Sequence, residues 1–290
     1  MLVPTNKDVI VINSSGGLDS TVLIYRALKT TEADILLVNY TYGQNHMVEI
    51  HVQKKLYKSL KKKFGDRILG NINIDLSPVY KAGKKLFMDL KSLRESKGIE
   101  EAAKHEFYTP SRNLLFMAAA SALGELVAIV QDYQNLFLGI GVHKHSEEAY
   151  GIHMNSMDTV DTGDDVIIND IDDIDDTKYT QYWDITPEFI KALQEVLNLN
   201  NIIPITIYAP YKDKFKNSII KDMKKFKVPF KKTWTCYNPI EDIIYKDEGN
   251  TKVLTFTPCN VCEACKERKL QSKGIIKKDI NDYTVKIKQK

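Results

Sequence analysis

Residues 15–21, with the sequence SGGLDST, constrain the fold of this 290-residue chain more than any other segment. They follow an apolar, β-branched stretch at residues 8–13 that predicts a buried parallel strand, and they precede a predicted helix at residues 21–29. Two glycines allow the backbone to approach a ligand closely, and the first turn of a helix presents N–H groups and a positive dipole end. The segment therefore predicts a strand, a glycine turn and a helix whose start binds a phosphate group.

The polar side chains of this segment add metal-binding and hydrogen-bonding groups. Ser15, Ser20 and Thr21 supply hydroxyl donors, and Asp19 is predicted to hold Mg2+ between phosphate oxygens. The alternative is a glycine turn into a helix capped by Asp19 and Ser20. Neither the G-x-x-x-x-G-K-[ST] motif nor the G-x-G-x-x-G motif is present here. The segment instead resembles the SGGxDS signature of the PP-loop ATP pyrophosphatases, a family that cleaves ATP between its α- and β-phosphates and cradles the pyrophosphate in this loop.

Predicted strands and helices alternate along the rest of the chain. Strands are predicted at residues 34–40, 68–76, 136–142 and 202–208, and helices at residues 47–64, 110–125, 188–197 and 213–226. Thr186 is predicted to cap the third of these helices and Pro187 to open it, and residues 77–107 are predicted to be a long crossover. This order predicts an α/β fold with a doubly wound parallel sheet, and the resemblance of residues 15–21 implies the PP-loop, adenine nucleotide α-hydrolase-like type. Its ligand is expected at the carboxyl ends of the strands.

The size and charge of the chain limit its organisation and its partners. It is long enough for one large α/β domain and a small appendage, predicted as residues 1–232 and 233–290, with an acidic insertion at about 156–180. The formal net charge of +3 produces no strong field that favours nucleic acid or a membrane surface. No leader-like pattern or long apolar segment is recognised, so a cytoplasmic protein with no membrane partner is predicted.

Two basic residues in predicted helices are candidates for binding phosphate or carboxylate groups. Arg112 would lie in the first turn of a helix, where a cation opposes the helix dipole and requires an anionic or aromatic partner. A bound nucleotide supplies both, and a surface arginine paired with a glutamate is the alternative. Lys216 can reach a phosphate, although such lysines are more often solvated.

His143 and His145 follow a predicted strand, and without a third ligand nearby they either line the site or belong to an ordinary loop.

Residues 158–176 are unusually acidic, with nine aspartates interspersed with valine and isoleucine. The stretch lacks the terminal glutamate of an EF-hand loop, which argues against a calcium site. A solvated acidic loop is the simpler interpretation. A flap that covers the substrate or binds a partner is the alternative.

The four cysteines all lie in the C-terminal part of the chain, at Cys236, Cys259, Cys262 and Cys265. The last three have C-x-x-C-x-x-C spacing, and four thiolates can close a tetrahedral shell around Zn2+. An iron–sulfur site fits the same spacing, whereas a redox-active pair lacks its usual βαβ context. A structural zinc ion is the favoured interpretation, because metal binding can fold a short C-terminal region. The remaining basic tail, residues 266–290, is expected to be a helix end and solvated surface.

Further motifs follow the PP-loop in order along the chain: Tyr42-Gly43-Gln44 with His46 and Glu49, Pro110-x-Arg112-Asn113, Tyr182-x-Asp184-x-x-Pro187-Glu188-Phe189, Ala209-Pro210 with Lys216, and Thr233-Trp234-x-Cys236-Tyr237 before the cysteine triplet. Together they resemble the 7-cyano-7-deazaguanine synthase (QueC) family over most of the chain. The resemblance implies an ATP-dependent C–N ligase that activates the carboxylate of 7-carboxy-7-deazaguanine and forms the amide with ammonia. A second activation then gives the nitrile. It also implies one Zn2+ ion and a homodimer.

The resemblance implies roles for individual residues as well. The ATP phosphates and Mg2+ would be held by the loop residues Ser15, Gly16, Gly17, Leu18, Asp19, Ser20 and Thr21. Catalysis would depend on Asp19, Ser20, Arg112 and Lys216. The deazaguanine pocket would be lined by Tyr42, Gln44, Tyr182 and Asp184. An aspartate suits this pocket, because it can accept two hydrogen bonds from a guanine-like edge.

The chain departs from the family pattern in two places. Family members usually have a Ser-Gly-Tyr-Pro-Asp-Cys-Arg-Pro-Glu-like segment, whereas residues 180–188 here are TQYWDITPE, and Ser218 stands where the family commonly has glutamate. These changes motivate one alternative, a QueC-like enzyme that joins the activated deazaguanine to another amine such as a protein N-terminus, as in phage-defence paralogues. The other alternative is a tRNA-modifying PP-loop protein with a zinc ribbon, which would require a cysteine or cluster for sulfur transfer.

Overall fold

The computed structural model describes residues 3–42, 48–81, 111–143, 183–200, 202–236, 238–246, 251–272 and 285–289. Its central feature is a five-stranded parallel sheet with the order β3-β2-β1-β4-β5. The strands are β1 (Asp8–Asn13), β2 (Asp34–Thr41), β3 (Ile68–Asp75), β4 (Asn135–Gly139) and β5 (Ile205–Tyr208). The doubly wound sheet predicted from the sequence is confirmed. The strand order reverses between β1 and β4, and ligands bind at the carboxyl ends beside such a reversal.

Helices cover both faces of this sheet. They are α1 (Leu18–Thr30), α2 (Val48–Phe64), α3 (Arg112–Val130), α4 (Pro187–Leu197) and α5 (Lys216–Lys225). Successive strand residues point to opposite faces, so Ile10 and Ile12 of β1 pack with α1, α2 and α5, whereas Val9 and Val11 pack with α3 and α4. Every residue of β1 from Val9 to Ile12 is fully buried, which is why its sequence is continuously apolar.

Some predicted boundaries are wrong by about three residues, because pairing partners set them. β4 ends at Gly139 and not at residue 142, and β5 begins at Ile205 and not at residue 202. The reason is that the two strands pair only where residues 136–139 lie opposite residues 205–208. Pro204 precedes β5 and has no N–H to donate to a ladder. The last helix of the α/β unit likewise begins at Lys216 and not at residue 213.

Helix α3 is apolar over most of its length, with a mean hydropathy of 1.9 in its apolar window. By length and composition alone it could cross a membrane, so the prediction that the chain has no long apolar segment is wrong. Its packing gives a different reason for this composition. A Cβ on Gly124 would lie 2.7 Å from a methyl of Leu136 and 2.9 Å from one of Val11, so glycine lets the helix lie directly on β1 and β4.

A second, antiparallel sheet of three strands follows the α/β unit, formed by β6 (Ile240–Lys246), β7 (Thr251–Thr257) and β8 (Val285–Gln289), with α6 (Glu263–Ser272) between the last two. The expectation of a solvated tail is therefore wrong for residues 285–289. The alternating sequence of β8 explains the strand: Val285 and Ile287 pack against an apolar cluster that contains Trp234, Cys236 and Cys265. The proposed division at residues 232 and 233 remains a prediction.

Candidate nucleotide site and metal centre

The glycine turn between β1 and α1 is enclosed by α2. Gly16 has a φ of +81°, a conformation that side-chain-bearing residues rarely adopt. A Cβ at this position would lie 3.1 Å from both the carbonyl oxygen of Glu49 and the backbone nitrogen of Gln53. The turn therefore requires glycine for its dihedral angle and for the close approach of α2.

The hydroxyl groups of the loop form a local network around the start of α1. The Oγ atoms of Ser15 and Ser20 lie 3.1 Å apart, and Gly17 N–H donates to Ser15 Oγ over 3.1 Å. Thr21 Oγ1 donates to the Gly17 carbonyl over 2.7 Å, and Leu18 is buried in the core. Gly17 is the N-cap, and no side chain caps the helix, so the alternative of a helix capped by Asp19 and Ser20 is not what the structure shows. The first-turn N–H groups thus have no side-chain cap, as anion-binding helix starts require.

Asp19 lies where three elements converge at the carboxyl edge of the sheet. Its Oδ2 accepts a hydrogen bond from Lys216 Nζ at 3.0 Å and lies 3.9 Å from His143 Nε2. Lys216 opens α5 and His143 follows β4, and both are more than nine-tenths buried. A Cβ on Gly141 would lie 3.2 Å from the backbone of Asp19 and Ser20, so this glycine lets the chain after β4 pass against the start of α1. The structure therefore brings the predicted Asp19 and Lys216 together.

Arg112 lies in the first turn of α3 and interacts with Tyr42 and Glu49. Burial raises the pKa of Tyr42, the charge of Glu49 raises it further, and Arg112 lowers it through its charge and a hydrogen bond. Burial also raises the pKa of Glu49 to about 7, against the opposing charge of Arg112. The Tyr42 ring lies 5.5 Å from that of Phe116, and these two rings form an aromatic wall. The partner that the sequence analysis required for Arg112 is thus present within the protein, as Tyr42 and Glu49.

Asp184 is also close to the start of α3. It is buried, its Oδ2 accepts the backbone N–H of Asn113 at 2.9 Å, and its carbonyl accepts Asn113 Nδ2 at 3.2 Å. One carboxylate oxygen therefore stabilises the first turn of the helix that bears Arg112. The pocket residues Gln44 and Tyr182, together with His145 and the acidic residues 158–176, lie outside the described residues, so this part of the site stays a prediction.

The four cysteine sulfurs form one compact group. All lie within 4.8 Å of one another, with Cys236 Sγ 3.5 Å from Cys259 Sγ and 3.9 Å from Cys262 Sγ. A tetrahedral zinc–thiolate centre with Zn–S bonds of about 2.3 Å has sulfur–sulfur edges of about 3.8 Å, so the spacing fits one ion. The N–H groups of Cys259 and Cys262 each donate to a cysteine sulfur at 3.3 Å, which favours the charged thiolates of a metal site. Cys236 and Cys265 are fully buried. In the protein without metal, hydrogen bonds with neighbouring thiols and burial raise the pKa of Cys236.

Two residues near this centre were given no role from the sequence. Trp234 is fully buried, and its backbone N–H donates to the Gly16 carbonyl at 2.9 Å. Arg268 is buried on α6 and donates to Thr235 Oγ1 at 2.6 Å. Thr233-Trp234 was part of a family-like motif, but nothing in its spacing indicated a contact with the loop. No pattern singled out Arg268, because buried and surface arginines look alike in a sequence.

Comparison with known proteins assigns this chain to a family. The model of the family described as "Queuosine biosynthesis protein QueC" matches residues 8–151 and 160–274. The 7-cyano-7-deazaguanine synthase of Prochlorococcus marinus (strain NATL1A) is 27% identical over 271 residues, which cover 92% of this chain and 93% of the relative. The synthase of the same name from Aquifex aeolicus (strain VF5) is 26% identical over 276 residues, covering 93% of this chain and 98% of the relative.

A solved structure with detectable similarity is the U34-tRNA thiolase NcsA from Methanococcus maripaludis with its [4Fe-4S] cluster, at 13% identity and a TM-score of 0.36. The match covers 78% of this chain and 59% of the thiolase. The two synthases support an enzymatic function at the level of the family. Because the family match spans most of the chain, including both the loop and the cysteine group, this chain belongs to the QueC family.

Proposed function

We propose that this chain uses ATP to adenylate the carboxylate of 7-carboxy-7-deazaguanine and converts the adenylate to the amide with ammonia. A second ATP then adenylates the amide oxygen, which leaves with AMP as the nitrile of 7-cyano-7-deazaguanine forms. The observation that carries the proposal is the convergence of Asp19, Lys216 and His143 beside the uncapped start of α1. A carboxylate is a poor electrophile for an amine. Transfer of AMP to one of its oxygens releases pyrophosphate and creates a leaving group that ammonia can displace.

In this proposal the loop stabilises the charge that develops on the departing pyrophosphate. The N–H groups of the first turn of α1 and the hydroxyls of Ser15 and Ser20 are the donors. Asp19 is the residue that would hold Mg2+, which neutralises phosphate charge when bound. Lys216 and Mg2+ then compete for the same carboxylate. We expect Lys216 to donate to a phosphate or to the substrate carboxylate once Asp19 holds the metal ion.

Substrate binding is assigned to the start of α3, where Arg112, Tyr42 and Asp184 lie close together. Arg112 suits an anionic group, and the aromatic wall suits a planar base. The full proposed pocket consists of Tyr42, Gln44, Tyr182 and Asp184. A homodimer, ammonia as the nitrogen donor, a cytoplasmic location and an acidic flap at residues 158–176 are further parts of the proposal.

The four cysteines would hold one Zn2+ ion and close its coordination shell, which makes the ion structural. A closed shell leaves none of these thiols for sulfur transfer, so the cysteine group gives no support to the tRNA-modifying alternative. Zinc would supply folding energy to the chain around β7 and α6.

The experiment combines the enzyme with ATP, Mg2+, ammonia and 7-carboxy-7-deazaguanine, and measures AMP release and product mass. AMP and the mass of the nitrile are expected. Asp19→Ala should abolish AMP release, while Asp66→Ala, which removes a fully exposed carboxylate, should leave it unchanged. No AMP from the wild-type enzyme in any condition would refute the proposal. In a parallel reaction with a peptide N-terminus in place of ammonia, a product that carries the peptide would instead establish the conjugating alternative.

A further inference from the structure

We propose that residues 233–236, clamped by Arg268, connect the cysteine centre to the phosphate loop, so that an intact metal centre and clamp set the affinity for ATP. Arg268 and Trp234 act here as positioning residues that do not touch the nucleotide. The inference rests on the proposed function only in taking ATP as the ligand of the loop. It concerns binding, which can be measured whether or not the carboxylated base reacts.

The first connection runs through Trp234. Its backbone N–H donates to the Gly16 carbonyl at 2.9 Å, and its indole Nε1 donates to the Cys236 carbonyl at 2.9 Å. Its own carbonyl lies 3.5 Å from where a Cβ on Gly17 would stand. Trp234 packs in one buried cluster with Cys236 and Cys265. Trp234, which binds the Gly16 carbonyl, is therefore two positions from Cys236 and is hydrogen-bonded to the Cys236 carbonyl.

The second connection runs through Arg268 on α6. Its guanidinium donates to Thr235 Oγ1 at 2.6 Å and to the carbonyls of Phe230 at 3.1 Å and Thr233 at 3.4 Å. It also lies over the Phe230 ring at 3.9 Å. A buried guanidinium is costly unless such partners are in place, so its position is strictly defined.

The position of α6 depends in turn on the metal centre. Cys265 lies in the first turn of α6, and Arg268 follows it three residues later on the same side of the helix. When four sulfurs converge on one ion, the start of α6 is fixed relative to Cys236, and Arg268 then holds residues 230–235 against the loop. Loss of the ion removes the bonds that hold the four sulfurs together, and both connections then lose their fixed positions.

The consequence for the loop follows from the conformation of Gly16. Its φ of +81° is accessible to glycine, but glycine is also the residue that loses this conformation most readily. The hydrogen bond from Trp234 fixes the Gly16 carbonyl and hence the direction of the next N–H group. Without it, ATP must order the loop on binding. We expect the Kd for ATP to rise about fivefold or more, the factor that corresponds to one hydrogen bond of ordinary strength.

The test compares Arg268→Gln with Lys269→Gln, which changes the adjacent, exposed cation of the same helix. Binding of a non-hydrolysable ATP analogue with Mg2+ is measured by calorimetry, together with metal content and Tm. Arg268→Gln should keep one metal ion per chain and bind the analogue at least about fivefold more weakly, while Lys269→Gln matches the wild type. The KM for the carboxylated base should change less than twofold in both. Arg268→Lys, which retains the charge without the fork, should recover only part of the affinity.

Two further measurements keep the proposal open to refutation if Arg268→Gln does not fold. Phe230→Leu removes only the ring beneath the guanidinium and should weaken analogue binding in the same direction. In a Trp183→Phe background Trp234 is the single tryptophan, so its emission should shift as a chelator withdraws the metal, in step with the loss of affinity. Unchanged analogue affinity in a folded, metallated Arg268→Gln or Phe230→Leu protein, or after complete metal removal, overturns the inference. Wild-type enzyme that binds the analogue but releases no AMP refutes the reaction and not this coupling.

Discussion

Substitution of Gly16 by alanine tests the geometry of the phosphate loop most directly, because the chain offers a matched control. Gly16 and Gly65 both have positive φ angles, +81° and +58°. An alanine Cβ at residue 65 meets nothing within 4 Å, whereas at residue 16 it meets two backbone atoms of α2 at 3.1 Å. The two variants therefore share the dihedral cost and differ in the steric cost.

The magnitudes follow from these two costs. A left-handed conformation costs a residue with a Cβ about 1–2 kcal/mol, which is the expected loss for Gly65→Ala. Overpacking a tightly fitted site adds about 1–3 kcal/mol, and at Gly16 the opposing atoms are backbone and cannot rotate away. Gly16→Ala should therefore lose about 2–5 kcal/mol of unfolding free energy, or shift the loop away from α2 to avoid part of that loss.

Urea unfolding and calorimetry with the ATP analogue distinguish the outcomes. We expect Gly65→Ala to bind the analogue as the wild type does, and Gly16→Ala to bind it at least tenfold more weakly, since displacement of Gly16 misaligns the N–H groups after it. An equal loss of unfolding free energy in the two variants would show that the contact between residue 16 and α2 has no effect on stability. Wild-type affinity in Gly16→Ala would refute the reasoning that the loop conformation is required for nucleotide binding.

Two other predictions concern groups beside the site. Burial raises the pKa of Glu49 from 4.5 to about 7, so the folded protein binds this proton more tightly than the unfolded chain does, and stability is lost as pH rises from 4.5 to 7. Glu49→Gln should thus match the wild type near pH 4.5 and exceed its unfolding free energy by about 3 kcal/mol at pH 8, and a difference independent of pH would contradict this. Thr186 Oγ1 accepts the Phe189 N–H at 3.1 Å as the N-cap of α4, so Thr186→Ala should lose about 1 kcal/mol in urea unfolding, and Thr186→Ser should retain most of it.

Features that depend on local sequence were predictable. The predicted bounds of β1 are those of the structure, because a central strand buried on both faces is continuously apolar and is followed at once by the glycine turn. The N-cap of α4 was predictable from Thr186-Pro187 for the same reason, since the capping hydrogen bond spans three residues. The compact cysteine group was predictable because three of its members lie within seven residues of sequence.

Features that depend on distant partners were not predictable. The bounds of β4 and β5 are set by the ladder that the two strands share, and the sequence of one strand alone does not indicate where that ladder ends. β8 exists because β7 offers an unpaired edge and Val285 and Ile287 find an apolar cluster to cover. Asp184 was predicted to face substrate, yet one of its oxygens accepts an N–H from a residue 71 positions away in the chain.

Lys216 shows how burial changes the chemistry that a sequence predicts. Among the many lysines of its helix it resembled a solvated side chain, but the structure buries it and directs Nζ to Asp19 at 3.0 Å. A desolvated ammonium interacts more strongly with a nearby anion than an exposed one does, because fewer waters screen the charge. Any anion that replaces Asp19 as its partner gains that interaction. The topology that brings the starts of α1 and α5 to the same sheet edge, and not the residue type, therefore makes Lys216 a candidate for binding a phosphate or a carboxylate group.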